Sequence, residues 1–247
     1  MNYHFEDFTD NEYRSLLRLA KANWEIINFP DYGKPGRVCL WRHDVDFSMH
    51  RAVKLARIEA EEGVQATYYV LLHGKFYNLL EDEVAERLAE ILDLGHMLGL
   101  HFDAQFYAKS IYDRTAILDK MEFEKQILQH FFNVDVRTFS FHIPDAGGWI
   151  NVDEQEINGM INAYGQEIKE KFGYCSDSNG YWRFRRLRDV LEAATDNKLQ
   201  VLTHPELWTP EPMSPWARVK RCVDGRATRQ IEWYDDILEK SGRINVR

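Results

Sequence analysis

The chain alternates between segments in which apolar residues recur at helical spacing and segments in which they run together or alternate with polar residues. The second kind is rich in β-branched and aromatic residues, which is typical of strands. The predicted strands span residues 38–41, 64–72, 96–103, 136–144, 174–182 and 199–205. The first predicted helix begins at a capping threonine, Thr9. The further predicted helices carry an apolar stripe and span residues 48–63, 81–94, 114–132, 187–195 and 230–240. Residues 154–172 show a mixed, partly helical pattern.

Strands that alternate with helices predict an α/β fold with mostly parallel strands, because parallel neighbours need a long crossover connection. The spacing of the strands and the length of 247 residues favour a (β/α) barrel over an open sheet. No linker divides the chain. We therefore predict a single domain over residues 1–247, in which residues 1–36 form an N-terminal helical extension.

Acidic residues and histidines recur where the predicted strands end. Parallel strands place these ends at one edge of the sheet, where ligands bind in α/β folds. A single acid or histidine at such a place has a plain explanation as a helix cap or a buried structural group. Seven of them together predict a functional site. They are Asp44, Asp46, His101, Asp103, His142, Asp177 and His204.

Carboxylate and imidazole ligands suit zinc and similar transition metals. Asp46 and His101 are the best pair of ligands in the sequence. A metal with open positions activates water and polarises a carbonyl group, which is hydrolytic chemistry. Asp44 is then placed to take a proton from water, and His204 is placed to protonate the leaving group.

Composition narrows the class of partner. A formal net charge of −9 argues against a nucleic-acid-binding surface. Cys39, Cys175 and Cys222 are far apart and form no C-x-x-C motif, which fits a reducing compartment and argues against a thiolate zinc site. No run of roughly 20 apolar residues predicts a transmembrane helix, and the amino terminus lacks a signal core, so we expect a cytoplasmic protein without a membrane partner.

The motifs resemble those of the polysaccharide deacetylases, carbohydrate esterase family 4. His43-Asp44-Val45-Asp46 is similar to the first motif of that family, and Gly95-His96-Met97-Leu98-Gly99-Leu100-His101 is similar to the second. Phe141-His142-Ile143-Pro144 stands where the family has Phe-Arg-x-Pro, and Leu202-Thr203-His204 resembles its closing motif. The resemblance implies a distorted (β/α) barrel that uses a divalent metal to hydrolyse N- or O-acetyl groups on sugars.

The resemblance also implies roles for single residues. Asp44 corresponds to the base, Asp46 and His101 to metal ligands, and His204 to the acid. The family's second histidine ligand is replaced by Gln105, and an amide is a poor ligand for a transition metal. We therefore expect zinc, held by Asp46, His101 and His142. Asp103 and Gln105 are the weaker candidates for its coordination.

Five further residues are predicted to contact the substrate, a small acylated sugar or a related molecule. Asp177 and Trp182 stand where the family's groove residues lie. Trp208 and Tyr69 are aromatic residues near strand ends that suit stacking on a sugar ring, and His43 borders the first motif.

Two other functions fit the same pattern. The first is a hydrolase of a formyl group or a cyclic amide on the same fold. The second is a non-catalytic barrel that binds a carbohydrate or a partner, in which the loss of a ligand at Gln105 marks a site without a metal. The sequence leaves the oligomeric state open.

Overall fold

The computed structural model describes residues 3–111, 113–182 and 184–246. Within them, nine strands form one sheet in the order β6-β7-β5-β4-β3-β2-β9-β8, with β1 paired to the first half of β2. All pairings are parallel except the one between β6 and β7. The strands are β1 Glu25–Ile27, β2 Val38–Val45, β3 Thr67–Val70, β4 Met97–Phe102, β5 Thr138–Phe141, β6 Glu156–Ile157, β7 Met160–Asn162, β8 Gly173–Ser176 and β9 Lys198–Thr203.

Helices cover the outer side of this sheet and enclose the main apolar core between the two layers. Serine, threonine and aspartate side chains cap several of them, as in α1, where the Thr9 hydroxyl accepts a hydrogen bond from the backbone of Glu12. The helices are α1 Asp10–Asn23, α2 Met49–Glu61, α3 Asp82–Asp93, α4 Ala104–Ala108, α5 Arg114–Phe132, α6 Gln166–Lys171, α7 Leu187–Ala193 and α8 Pro215–Lys240.

The sheet is strongly curved. Strands β2 and β5 are separated by two other strands, so a flat sheet would place them roughly 14 Å apart. Instead, Ser140 of β5 donates a hydrogen bond of 3.3 Å to Asp44 of β2. At the two ends of the sheet, the rings of Tyr164, just after β7, and Tyr174, in β8, lie 6.4 Å apart. The result is a half-closed barrel, and the expectation of an α/β fold with mostly parallel strands is confirmed.

Several details differ from the sequence-based expectation. Strand β2 continues to Val45, so that Arg42, His43 and Asp44 lie within the sheet. Residues 154–172 contain the short strands β6 and β7 besides a helix, and α8 begins at Pro215 instead of residue 230. The predicted N-terminal extension is only partly helical, because β1 lies within it and pairs with β2.

No helix in the described part of the chain is long and apolar enough to cross a membrane.

Candidate functional site

Strand β2 positions the site through its alternation. Successive side chains of a strand point to opposite faces, so Arg42 and Asp44 point into the hollow of the curved sheet. Asp46 follows directly after the strand. His43 points the other way, toward α2, where it donates a hydrogen bond to Glu59.

Asp46, His101 and His142 form a cluster of ligand atoms at the carboxyl edge of the sheet. Asp46 Oδ1 lies 3.3 Å from His101 Nε2 and 3.4 Å from His142 Nδ1, and these two nitrogens are 3.2 Å apart. His101 Nδ1 donates to the carbonyl oxygen of Ser140 at 3.1 Å, which leaves Nε2 of the neutral ring as an acceptor. A backbone partner that fixes the tautomer in this way is typical of a metal-binding histidine.

The electrostatics of the cluster favour an ionised Asp46. Burial alone would raise the pKa of this carboxyl group, but the imidazoles of His101 and His142 outweigh it and hold the pKa well below its usual range. Burial alone would lower the pKa of His101, yet Asp44 and Asp46 raise it above its ordinary value. Both directions mean that positive charge is favoured at the cluster.

Asp44 is held at one oxygen and unpartnered at the other. Its Oδ2 accepts hydrogen bonds from Arg42 Nη2 at 3.2 Å and from Ser140 Oγ at 3.3 Å, and lies 3.8 Å from His101 Nε2. Its Oδ1 is buried and accepts no hydrogen bond in the described structure. Burial lowers the pKa of Arg42, but Asp44 and neighbouring tyrosines outweigh this and keep the guanidinium charged. Arg42 thus provides a fixed positive partner for the carboxylate.

His204 follows β9 and is oriented by Asp177. Asp177 Oδ1 accepts from His204 Nδ1 at 2.6 Å, and Asp177 Oδ2 accepts from the backbone of His204 at 3.0 Å. The opposite nitrogen, Nε2, lies 3.9 Å from Asp46 Oδ2. Burial lowers the pKa of His204, but Asp177 outweighs it and raises the pKa well above its ordinary value, so the ring can carry a proton toward the cluster.

The two weaker candidates for metal coordination have other contacts. Asp103 caps α4, where its Oδ1 accepts from the backbone of Phe106 at 3.2 Å. Gln105 donates to the carbonyl oxygen of Ala146 at 2.8 Å, so its amide holds the loop that follows His142. Neither residue is carried into the proposed ligand set.

Most of the five predicted substrate contacts have no exposed surface. His43, Tyr69, Asp177 and Trp208 are each 0% exposed, and only Trp182 keeps some solvent exposure. Because these four side chains have no exposed surface in this structure, their contact with a substrate stays a prediction, and we do not carry that contact into the proposed site. Tyr69 bonds to the Thr138 hydroxyl at 2.7 Å, and the ring of Trp208 packs against Phe8 and Tyr13, among others.

The structure brings to the site three residues that are not among the predicted site residues. Arg42 and Ser140 contact Asp44, and period-two alternation from Asp44 was a signal for Arg42. Glu206 is fully buried in the turn that follows His204, and neither of its carboxylate oxygens has a hydrogen-bond partner in the described structure. No sequence pattern distinguished it.

A divalent cation fits the residues at the cluster. Asp46 Oδ1 is buried and its contacts with the two histidines lack hydrogen-bond geometry, so it has no formal donor. One carboxylate and two imidazoles are the donor set of many catalytic zinc and iron sites, which leave positions for water and substrate. A cation there would pair with an oxygen that is otherwise costly to bury.

Two of the solved structures to which this chain is similar are deacetylases. The Streptococcus pyogenes deacetylase PplD, in complex with acetate, shares 14% identity over 84% of each chain, with a TM-score of 0.42. The chitin deacetylase of the fungal pathogen Colletotrichum lindemuthianum shares 11% identity over 78% of this chain and 84% of that one, with a TM-score of 0.40. No known family model and no curated protein matches the sequence. Similarity at this level carries no argument about function, which rests on the geometry of the site.

Proposed function

We propose that this protein is a metal-dependent hydrolase that removes an acyl group, most simply acetyl, from the nitrogen or oxygen of a sugar or a related small molecule. One observation carries the proposal. Asp44 has one carboxylate oxygen held by Arg42 and the other without a hydrogen-bond partner. His204 has one ring nitrogen held by Asp177 and the other directed at Asp46 of the Asp46–His101–His142 cluster.

Asp46, His101 and His142 would hold the cation, and zinc suits this donor set. When bound, the metal supplies Lewis acidity, which polarises the acyl carbonyl and makes water more acidic. His101 is kept in the required tautomer by Ser140, and Asp46 is kept ionised by its two histidine neighbours.

Asp44 acts as the general base in this proposal. Arg42 and Ser140 hold its Oδ2, so the unpartnered Oδ1 is the atom that accepts a proton from the attacking water. Because Arg42 is buried with it, the Asp44 carboxylate has a fixed positive partner and keeps its orientation without rearrangement.

His204 acts as the general acid. Asp177 fixes the ring through Nδ1 and favours its protonated form, so Nε2 can give a proton to the leaving nitrogen or oxygen as the bond to the acyl carbon breaks. The products are a carboxylic acid and a free amine or alcohol. Cytoplasmic location and a small-molecule substrate stay predictions from the sequence.

Replacement of Asp44 by Asn tests the proposal. The change keeps the size of the side chain and removes its basicity, so we expect acetate release from a panel of N- and O-acetylated sugars to fall by about 10²- to 10⁴-fold. The matched control is Asp93→Asn, an exposed position on α3, which should leave the rate unchanged.

Formate and ammonia are measured beside acetate. Formate or ammonia release that depends on Asp44, without acetate release, would move the assignment to a formyl or cyclic amide bond. Hydrolysis that Asp44→Asn and His204→Ala both leave intact would contradict the mechanism, and binding of sugars without any hydrolysis would support a non-catalytic barrel.

A further inference from the structure

Helix α8 is attached to the rest of the chain along one side and carries an exposed apolar face on another. On the attached side, Arg218 Nη1 donates to the carbonyl oxygen of Gly180 at 2.9 Å, and Arg226 Nη1 donates to Glu81 at 2.6 Å. On the other face, apolar residues recur at spacings of three, four and seven, which keeps them in line at 3.6 residues per turn. These residues, which we call the α8 stripe, are Trp216, Val223, Ala227, Ile231, Tyr234 and Ile237. The five members larger than alanine are between 39% and 72% exposed.

The α8 stripe is larger than the scattered apolar residues of an ordinary protein surface. The helix has 26 residues, so it is about 39 Å long, and a face about 10 Å wide offers roughly 400 Å² on one chain. The stripe also borders a cavity of about 190 Å³, which Phe47 and Phe76 line together with Val223 and Ala227. A contiguous exposed patch of this size marks an interaction surface.

The opposite side of α8 argues against a membrane as the partner. Glu232, Asp236 and Glu239 lie roughly 140–160° around the helix from the middle of the stripe. A helix that lies on an anionic lipid surface carries lysine and arginine on its polar face, where they contact the headgroups. Acidic residues at these positions would be repelled by such a surface.

A second copy of α8 complements the first. Two such helices that pair antiparallel over their full length cross at a two-fold axis between residues 227 and 228. Ala227, the smallest member of the stripe, lies at that crossing and lets the helices approach closely. Lys220 and Asp235 lie along one edge of the stripe, equally far from the axis, so the pairing sets Lys220 of each copy beside Asp235 of the other. A parallel pair would instead set each of these charges beside its own kind.

We propose that α8 is the interface of a symmetric homodimer, in which the α8 stripes of two copies pack antiparallel. The contact area lies below about 1,200 Å² in total, which is the range of weak and reversible complexes. The dimer is therefore expected to dissociate on dilution. The inference goes beyond the proposed function, because it depends on neither the metal nor the substrate.

Sedimentation velocity of the full chain over a series of concentrations tests the inference. The wild type should pass from monomer to dimer in the micromolar range. Ile231→Asp places a charge in the stripe, so we expect the dissociation constant of the dimer to rise about 30- to 100-fold. Ile237→Asp should act in the same way and repeats the test at a second position. The matched control is Ile244→Asp, since Ile244 is 82% exposed but lies outside α8, and this variant should dimerise as the wild type does.

An exchange of charges tests the orientation of the two helices. Lys220→Glu sets two acids beside each other at both edges of the dimer, so the dissociation constant should rise about 3- to 10-fold at low salt. Asp235→Lys in the same chain should restore the affinity, because the pair forms again with its charges exchanged. The ion pair of Lys220 with Asp224 lies within one helix, so its loss affects monomer and dimer alike.

Four outcomes would overturn the proposal. The first is a wild type that stays monomeric throughout the micromolar range. The second is an equal loss of affinity in Ile231→Asp and Ile244→Asp, which would indicate unspecific association. The third is a Lys220→Glu variant whose affinity Asp235→Lys does not restore, which would exclude the antiparallel register. The fourth is flotation of the wild type with vesicles of phosphatidylcholine and phosphatidylserine but not of Ile231→Asp, which would assign the stripe to a membrane.

Discussion

Strand β2 carries a buried polar cluster on each of its two faces, and the clusters differ in how completely their atoms are hydrogen-bonded. On the helix side, Glu59 accepts from Tyr13 and His43 at one oxygen and from Tyr68 at the other. His43 receives a hydrogen bond from Thr203 at its second nitrogen. Every polar side-chain atom of these residues has a partner.

The hollow side is different. Asp44 Oδ1, Asp46 Oδ1 and both oxygens of Glu206 are buried without a hydrogen-bond partner, and two guanidinium nitrogens of Arg42 are in the same state. The two faces belong to the same strand and are similarly buried. The helix side therefore stabilises the fold, while the hollow side keeps atoms available for an ion, water and substrate.

Glu59→Gln is the change with the largest expected effect on stability. The carboxylate that accepts hydrogen bonds from Tyr13, Tyr68 and His43 loses its charge, and an amide can no longer accept from all three donors. We therefore expect the free energy of unfolding to fall by about 3–5 kcal/mol. Urea denaturation measures this, and hydrolysis per folded molecule should not change. Glu86→Gln, an exposed control, should stay within about 0.5 kcal/mol of the wild type. A large loss of rate in folded Glu59→Gln would break the distinction between the two faces.

We also expect the difference in unfolding free energy between the wild type and Glu59→Gln to depend on pH. Burial alone would raise the pKa of Glu59, but His43 and the surrounding donors outweigh it and hold the pKa below its ordinary value of 4.5. The folded state therefore binds this proton less readily than the unfolded state does, and the stabilisation is complete above the unfolded pKa. The gap in unfolding free energy between the wild type and Glu59→Gln should be constant above pH 4.5 and should narrow as the pH falls further. A gap that does not change with pH would show that the charge of Glu59 is not what stabilises the fold.

Tyr69→Phe, a change on the hollow side of the sheet, has the smallest expected effect on stability. The Tyr69 hydroxyl is satisfied by Thr138, and its ring packs edge-on against Phe29 at 5.6 Å. Loss of one neutral hydrogen bond should lower the free energy of unfolding by about 1 kcal/mol and leave KM unchanged. A clear rise in KM with intact stability would return Tyr69 to the substrate site.

The position of the site could be predicted from the sequence because it depends on local pattern. Strand ends can be recognised, parallel strands bring them to one edge, and Asp46, His101, His142 and His204 are all found there. Alternation within β2 could also have separated His43 from Asp44.

The remaining contacts depend on tertiary packing that no local pattern encodes. Glu59 stands at the charged end of a helix, and the approach of α1, β2 and β3 buries it. Gln105 occupies a ligand's place in the motif, but the loop after His142 gives its amide a backbone partner. Glu206 follows a proline in a short turn, and its burial comes from the elements that close around it.

The most direct test of the central claim is the zinc content of the purified chain, measured after equilibration with Zn²⁺ and removal of unbound ions. The wild type should retain about one zinc ion per chain, and Asp46→Asn and His142→Ala should retain far less. Asp103→Asn and Gln105→Ala should match the wild type, because the structure engages both side chains elsewhere. A wild type that retains no zinc, or ligand variants that retain as much as it does, would contradict the assignment of Asp46, His101 and His142 as a metal site.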